Sequence, residues 1–174
     1  ARYWMSMVQN ANEENAGSSP ADPVLVLQAM GRRIGYIPAA ARLADPKREM
    51  PLQIYMAESK ISAQELCDRV NDQIQKDGRC LVVVSEGFDV GELGEVKDSF
   101  GHTSFGSSQM TVAQKVVNLL NKNGLPAAGS ARGQVPGTDQ RATTAYASIV
   151  DLDEAYKVGQ QAVLIAVSGE NGWM

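Results

Sequence analysis

The chain is poor in the residues that most often announce a chemistry. Its 174 residues include one histidine and two cysteines. Cys67 lies within a helical pattern and Cys80 opens an apolar run, so both read as reduced core thiols rather than a disulfide or metal pair. His102 stands at no usual ligand spacing from either, which excludes a zinc site built from the three. There is no excess of basic charge: 16 Lys and Arg face 20 Asp and Glu, for a net charge of −4. That balance argues against non-specific nucleic-acid binding, which needs a basic face. No apolar run approaches the ~18 residues of a membrane span, and no signal peptide is visible, so the expected setting is cytoplasmic. P-loop, nucleophile-elbow and dinucleotide G-x-G-x-x-G motifs are all missing, as are internal repeats and low-complexity segments.

What remains is an alternation of apolar runs and helical periodicity. Residues 24–29 (VLVLQA) form a continuous apolar strand, followed by an expected helix over 31–44 that stops before Asp45-Pro46. A second strand spans 52–56. A helix over 62–76 opens on the capping box Ser62-x-x-Glu65 and places Leu66, Val70 and Ile74 on one face. Residues 81–84 are a third apolar strand. The glycine-rich stretch 87–107, which carries His102, reads as a lid or insertion. Further helices are expected over 108–122, with Val112, Val116, Leu119 and Leu120 inward and Gly124 as C-cap, and over 151–168. The last is opened by Asp151 and Glu154 and carries Ala155, Val158, Ala162 and Ile165 on one face. A short extended segment, 125–130, leads to Arg132. Strand–helix alternation with unbroken apolar strands indicates a three-layer α/β/α fold around a mainly parallel sheet. Both ends read as cut: residues 3–8 look like the apolar end of a helix, and the chain stops just after Gly169-x-x-Gly172.

Ligands of open α/β sheets bind beyond the carboxyl ends of the strands. There the sequence delivers Met30-Gly31-Arg32, Glu58, and Ser85-Glu86-Gly87. Gly31 permits close approach and opens the expected helix, whose free N–H groups favour an anion. Arg32 and Arg33 then sit at the unfavourable end of a helix for a cation. Either this is a solvated turn with a harmless arginine, or an anionic ligand is addressed by Arg32 and the dipole together. Arg132 and Arg141 bracket a segment with two glycines and a proline, read as one shaped loop. It is either a phosphate clamp, since guanidinium forks match phosphate oxygens, or an exposed surface loop. Glu86 is suited to accept sugar hydroxyls, or is a solvated carboxylate.

At these positions the chain resembles the phosphofructokinase family, in order and over nearly its whole length. MGRRIGYIPAAARLA (30–44) is similar to the family's M-G-R segment, VVVSEG (82–87) to its glutamate-terminated strand, and RGQVPGTDQR (132–141) to its R-x5-G-x-x-Q-R segment. The stretch 147–174 resembles the family's D-x3-A-x3-G-x2-A helix and following G-x-x-G-x-M. The resemblance implies a partial phosphofructokinase domain, mainly the part that holds fructose 6-phosphate. Met30, Gly31 and Arg32 would line the sugar-phosphate site, Arg32 would also stabilise charge on the moving phosphoryl group, and Glu86 would bind sugar hydroxyls. Arg141 and Arg132 would clamp the 6-phosphate, with Arg132 reaching from a neighbouring subunit of a homo-oligomer. The sequence departs from the family pattern at Thr138, where many members have His or Tyr. It departs again at Pro23, where a basic residue is frequent, at Ala29, where Glu is usual, and before Glu58, where Pro is common.

The long 86–132 connection with DSFGH, and PGTDQR with its spacing to Asp151, resemble pyrophosphate-dependent members. The implied activity is transfer of a phosphoryl group from pyrophosphate to fructose 6-phosphate, a reversible step of glycolysis. ATP as donor and a catalytically inactive sugar-phosphate-binding subunit are the alternatives. The family's Gly-Gly-Asp donor loop and the loop carrying the catalytic Asp and Mg²⁺ ligands would precede Ala1. No metal ligand is therefore expected in this chain, and in isolation it is expected to be inactive.

Overall fold

A computed structural model describes residues 1–91 and 110–172 of the chain. They divide into two compact units, Ala1–Arg141 and Ala142–Met174. The first unit begins with α1 (Arg2–Ser18), whose buried residues Trp4, Val8, Ala11 and Asn15 recur at the three- and four-residue spacing of one helix face. Residues 3–8 therefore lie in a helix that continues to Ser18, rather than at its end. The chain proceeds through β1 (Val24–Ala29), α2 (Tyr36–Ala39) running into a 3₁₀ turn (Ala40–Ala44), β2 (Leu52–Tyr55), α3 (Ala63–Asp77) and β3 (Cys80–Ser85). After residues 92–109, which lie outside the described residues together with His102, come α4 (Val112–Asn123), β4 (Ala131–Gln134) and α5 (Thr138–Ala142).

The four strands form one parallel sheet in the order β2-β3-β1-β4. All six residues of β1 and all six of β3 are buried. Successive side chains of a strand point to opposite faces. Val24, Val26, Val82 and Val84 accordingly join the core beneath α3 and α4. Leu25, Leu27, Leu81 and Val83 join the core beneath α1 and the 3₁₀ turn. Each such side chain contributes about 2 kcal/mol by leaving water. The one polar residue of β1, Gln28, is buried because its Oε1 accepts the Ala113 N–H at the start of α4, at 3.0 Å. The expected three-layer, mainly parallel α/β fold is the fold observed.

Local signals placed α3 well. Ser62 Oγ accepts from the Glu65 N–H, and Leu66, Val70 and Ile74 are buried. Glu65 itself pairs with Arg69, so only the serine half of the capping box is formed toward the helix start. In α4, Thr111 is the cap and Gly124 ends the helix at φ 87°, as expected, while the buried face is Ala113, Val116, Val117 and Leu120, flanked by Val112 and Leu119. Only residues 87–91 of the stretch 87–107 are described. Phe88 and Val90 are buried core residues, Phe88 stacked on Tyr55, and residues 92–107 lie outside the described residues.

The second unit holds a 3₁₀ turn (Thr144–Tyr146) and α6 (Ile149–Val167). Ser148 rather than Asp151 caps α6, its Oγ accepting the Asp151 N–H. None of the expected inward residues Ala155, Val158, Ala162 and Ile165 is buried.

Candidate functional site

β1 passes the chain to helices on one face of the sheet and its neighbour β3 passes it to the other. The carboxyl ends of β1 and β3 thus flank a topological switch point, the usual place for a ligand in an open parallel sheet. The loop after β1 occupies that point, and its conformation corrects the expected helix over 31–44. Residues 31–35 are a turn, and helical structure begins only at Tyr36. Gly31 has φ 148° and Arg32 has φ 52°, a left-handed backbone that costs a non-glycine residue about 1–2 kcal/mol.

Contacts from all three other strand ends hold this turn. From β3, Glu86 Oε1 accepts the N–H of Gly31 at 3.0 Å and also that of Arg32. Ser85 Oγ, fully buried, donates to the Arg32 carbonyl at 3.3 Å and accepts the Gly87 N–H at 3.2 Å. Gly87 lies directly against the Arg32 peptide: a Cβ there would stand 2.9 Å from the Arg32 carbonyl carbon and 3.1 Å from Arg33 Cα. From the β2 side, Glu58 Oε1 accepts the Gly35 N–H at 2.9 Å. From the β4 side, Gln140 of α5 accepts the Met30 N–H at 2.9 Å and donates to the Met30 carbonyl at 3.1 Å.

The anion-binding reading of Gly31 therefore changes in kind. It does not open a helix, and the two amides that would greet an anion are taken by Glu86. The positive charge stays free. Arg32, Arg33 and Arg141 are exposed, and among the described residues none of their guanidinium groups makes a hydrogen bond or ion pair. Glu86 is half-buried and its Oε2 accepts no hydrogen bond among the described residues. The arrangement offers a ligand one carboxylate oxygen and several unpaired guanidinium forks at one sheet edge, a pattern suited to a phosphorylated polyol.

Arg132 and Arg141 do not share one shaped loop. Arg132 is the second residue of β4, in register with Leu25 near the amino end of β1, while Arg141 belongs to α5. At about 3.3 Å per residue, the run from Leu25 to Met30 puts Arg132 roughly 16 Å along the sheet from the loop after β1. It pairs there with Glu14 and, at 3.3 Å, with Asp22. Met30, Gly31, Arg32, Glu86 and Arg141 are thus brought to one edge, with Thr138 exposed at the start of α5, and Arg132 is taken to the other.

The sequence profile of the phosphofructokinase family matches residues 3–166. The chain belongs to the phosphofructokinase family. It is 33% identical over 158 residues to the pyrophosphate–fructose 6-phosphate 1-phosphotransferase of Halomonas elongata, covering 87% of this chain and 36% of that protein. With the Methylococcus capsulatus protein of the same name it shares 32% over 177 residues, 97% of this chain and 40% of the relative. The solved pyrophosphate-dependent phosphofructokinase of Nitrosospira multiformis superposes with a TM-score of 0.68 at 32% identity, covering 97% of this chain and 39% of that one. The chain therefore spans less than half the length of these relatives.

Three contacts that hold the turn after β1 were not assigned from sequence: Ser85, Glu58 as the anchor of Gly35, and Gln140. Gln140 did stand in the quoted R-x5-G-x-x-Q-R segment, which was the only available signal for it. Among the described residues no three His, Cys, Asp or Glu side chains gather to hold a metal ion. Both cysteines are free and buried, and burial pushes both thiols up from their ordinary value. No helix among the described residues is long and apolar enough to cross a membrane.

Proposed function

We propose that the protein containing this chain transfers a phosphoryl group from pyrophosphate to the 1-hydroxyl of fructose 6-phosphate, giving fructose 1,6-bisphosphate and orthophosphate. The reaction is reversible and belongs to cytoplasmic glycolysis. The observation that carries this reading is the set of unpaired guanidinium groups, Arg32, Arg33 and Arg141, beside a half-free Glu86 at the switch point of the sheet. The relatives named for pyrophosphate favour that donor over ATP.

Phosphoryl transfer asks a protein chiefly for positioning and charge neutralisation. In this reading Arg141 grips the 6-phosphate, Glu86 Oε2 accepts sugar hydroxyls, and Met30 and Gly31 form the wall against which the sugar lies. The Thr138 hydroxyl adds a polar contact. Arg32 faces the charge that builds on the moving phosphoryl group. An Asp base would take the hydroxyl proton and Mg²⁺ would offset phosphoryl charge, and neither role falls to a described residue of this chain. Arg132, at the far edge of its own sheet, serves the site of a neighbouring copy in a homo-oligomer.

Calorimetric titration of the full-length protein with fructose 6-phosphate, followed by assay with pyrophosphate or ATP, tests the reading. Binding with turnover on pyrophosphate is expected. Binding without turnover on either donor would leave a sugar-phosphate-binding subunit, and absence of binding would overturn the site. The isolated 174-residue chain is expected to show no turnover.

A further inference from the structure

Gln140 continues a ladder that β1 and β4 leave unfinished. Their parallel pairing runs as far as Leu27 with Gln134. Six residues beyond Gln134, the Gln140 side chain meets the Met30 peptide with one acceptor and one donor, at 2.9 and 3.1 Å. A carboxamide carries the same donor and acceptor as a peptide group, so it substitutes for a strand neighbour where the backbone has already turned away. Asn121 uses the same device at the start of β4, accepting the Ala131 N–H at 2.8 Å and donating to the Ala131 carbonyl at 3.1 Å. There it fastens a strand between two helices. At Met30 it fastens a loop whose next two residues are Gly31 and Arg32, and the residue beside Gln140 is Arg141.

We propose that Gln140 is a positioning residue for phosphoryl transfer: its two hydrogen bonds to Met30 fix the Arg32 turn relative to Arg141. The inference rests on the sugar-phosphate reading above. Glu86 and Ser85 hold the turn from the β3 side only. Gln140 is the tie from the side of Arg141, so it links the arginine that grips the acceptor to the arginine that meets the moving group. Losing the tie leaves both guanidinium groups present but unregistered. Misplacement of about 1 Å at a reacting centre costs up to roughly a hundredfold in rate.

The test is a double-mutant cycle in the full-length protein with Gln140→Met, which keeps length and removes both hydrogen bonds, and Arg32→Ala. On the wild-type background Gln140→Met is expected to lower kcat about ten- to a hundredfold. Fructose 6-phosphate affinity, read by calorimetry, should stay within about threefold, since Arg141 is still present. On the Arg32→Ala background the same substitution should lower kcat by no more than about twofold, because the group it positions is gone. A kcat loss of equal size on both backgrounds, or no loss in either, overturns the proposal. Gln140→Glu, which keeps the acceptor for the Met30 N–H and loses the donor, goes through the same cycle. It decides the matter if Gln140→Met does not fold. Wild-type protein that binds no fructose 6-phosphate and turns over with neither donor would sink the sugar-phosphate reading itself. That result is read before any variant is made.

Discussion

The two edges of the sheet treat arginine in opposite ways. At the amino edge, Arg42 bonds Asp45 and the Leu52 carbonyl, Arg79 bonds Asn12 and Asn15, and Arg132 pairs with Glu14 and Asp22. At the carboxyl edge, Arg32, Arg33 and Arg141 find no such partner among the described residues, although Glu58 and Glu86 stand nearby in the fold. Those carboxylates accept backbone N–H groups of the Gly31–Gly35 turn instead. A guanidinium satisfied within the fold contributes to local structure. Directing the available carboxylates to the backbone shapes a loop and leaves positive charge for an incoming anion. The same residue types are present at both edges, and what differs is which donors the carboxylates answer.

The largest effect on this contrast should come from Glu86→Leu in the full-length protein. It orphans two amides and frees Arg32 from its left-handed turn. Steady-state kinetics should show kcat/KM lower by about a hundred- to a thousandfold, and urea unfolding a loss of about 1–3 kcal/mol. A mutant with wild-type kinetics would dissolve the distinction between the edges. Next comes Arg141→Ala, expected to weaken fructose 6-phosphate binding about ten- to a hundredfold through the loss of a charge-assisted contact of about 1.5–3 kcal/mol. Its Tm should not move, because Arg141 has no protein partner among the described residues to lose. The mirror experiment is Arg132→Ala at the amino edge. Exposed ion pairs of this kind contribute about 0–1 kcal/mol, so stability should barely change. If Arg132 serves a neighbouring copy, turnover nonetheless falls, and hybrids assembled from Arg132→Ala and Arg141→Ala subunits regain part of it. Hybrids as inactive as their parents would confine Arg132 to its own subunit's ion pairs.

A last prediction involves none of these arginines. Cys80 and Tyr55 are buried, and burial is the main reason both titrate above their ordinary values. Raised folded values keep their full contribution to stability below the unfolded values of 9.0 and 10.0. Above these the unfolded chain sheds protons that the folded chain retains, and stability declines. Denaturation midpoints should therefore be flat from neutral pH to about pH 9 on this account, then fall with a limiting slope of about 1.4 kcal/mol per pH unit for each group. A midpoint that rises through that window would contradict the buried, protonated assignment.

How legible these features are in the sequence follows from where their causes lie. β1 and β3 are read from composition because a strand covered on both faces must be apolar throughout. α3 is read from its cap and its Leu66–Val70–Ile74 face. β4 is not legible: Ala131-Arg-Gly-Gln134 has no apolar run, and it is a strand because β1 and Asn121 supply its backbone partners. Gly133 fits there because Val117 would stand 3.2 Å from any Cβ. The turn at 31–35 stands where a helix over 31–44 is expected from the sequence. Its real conformation is imposed by Glu86, a residue more than fifty positions away. In the same way Arg32, Glu86 and Arg141 are recognisable as charged residues at element ends. Gln140 acts through a peptide 110 positions distant, and no local pattern encodes that.

Gly87 carries a consequence at the level of the gene. Every single-base missense change in a glycine codon introduces a side chain with a Cβ, whatever else it brings. At position 87 that first carbon already collides with the Arg32 peptide, so small, large, polar and charged replacements share one defect. In a mutational scan the column for this residue should be uniformly depleted. Gly159, inside α6 with nothing within 4 Å of a built Cβ, should accept alanine.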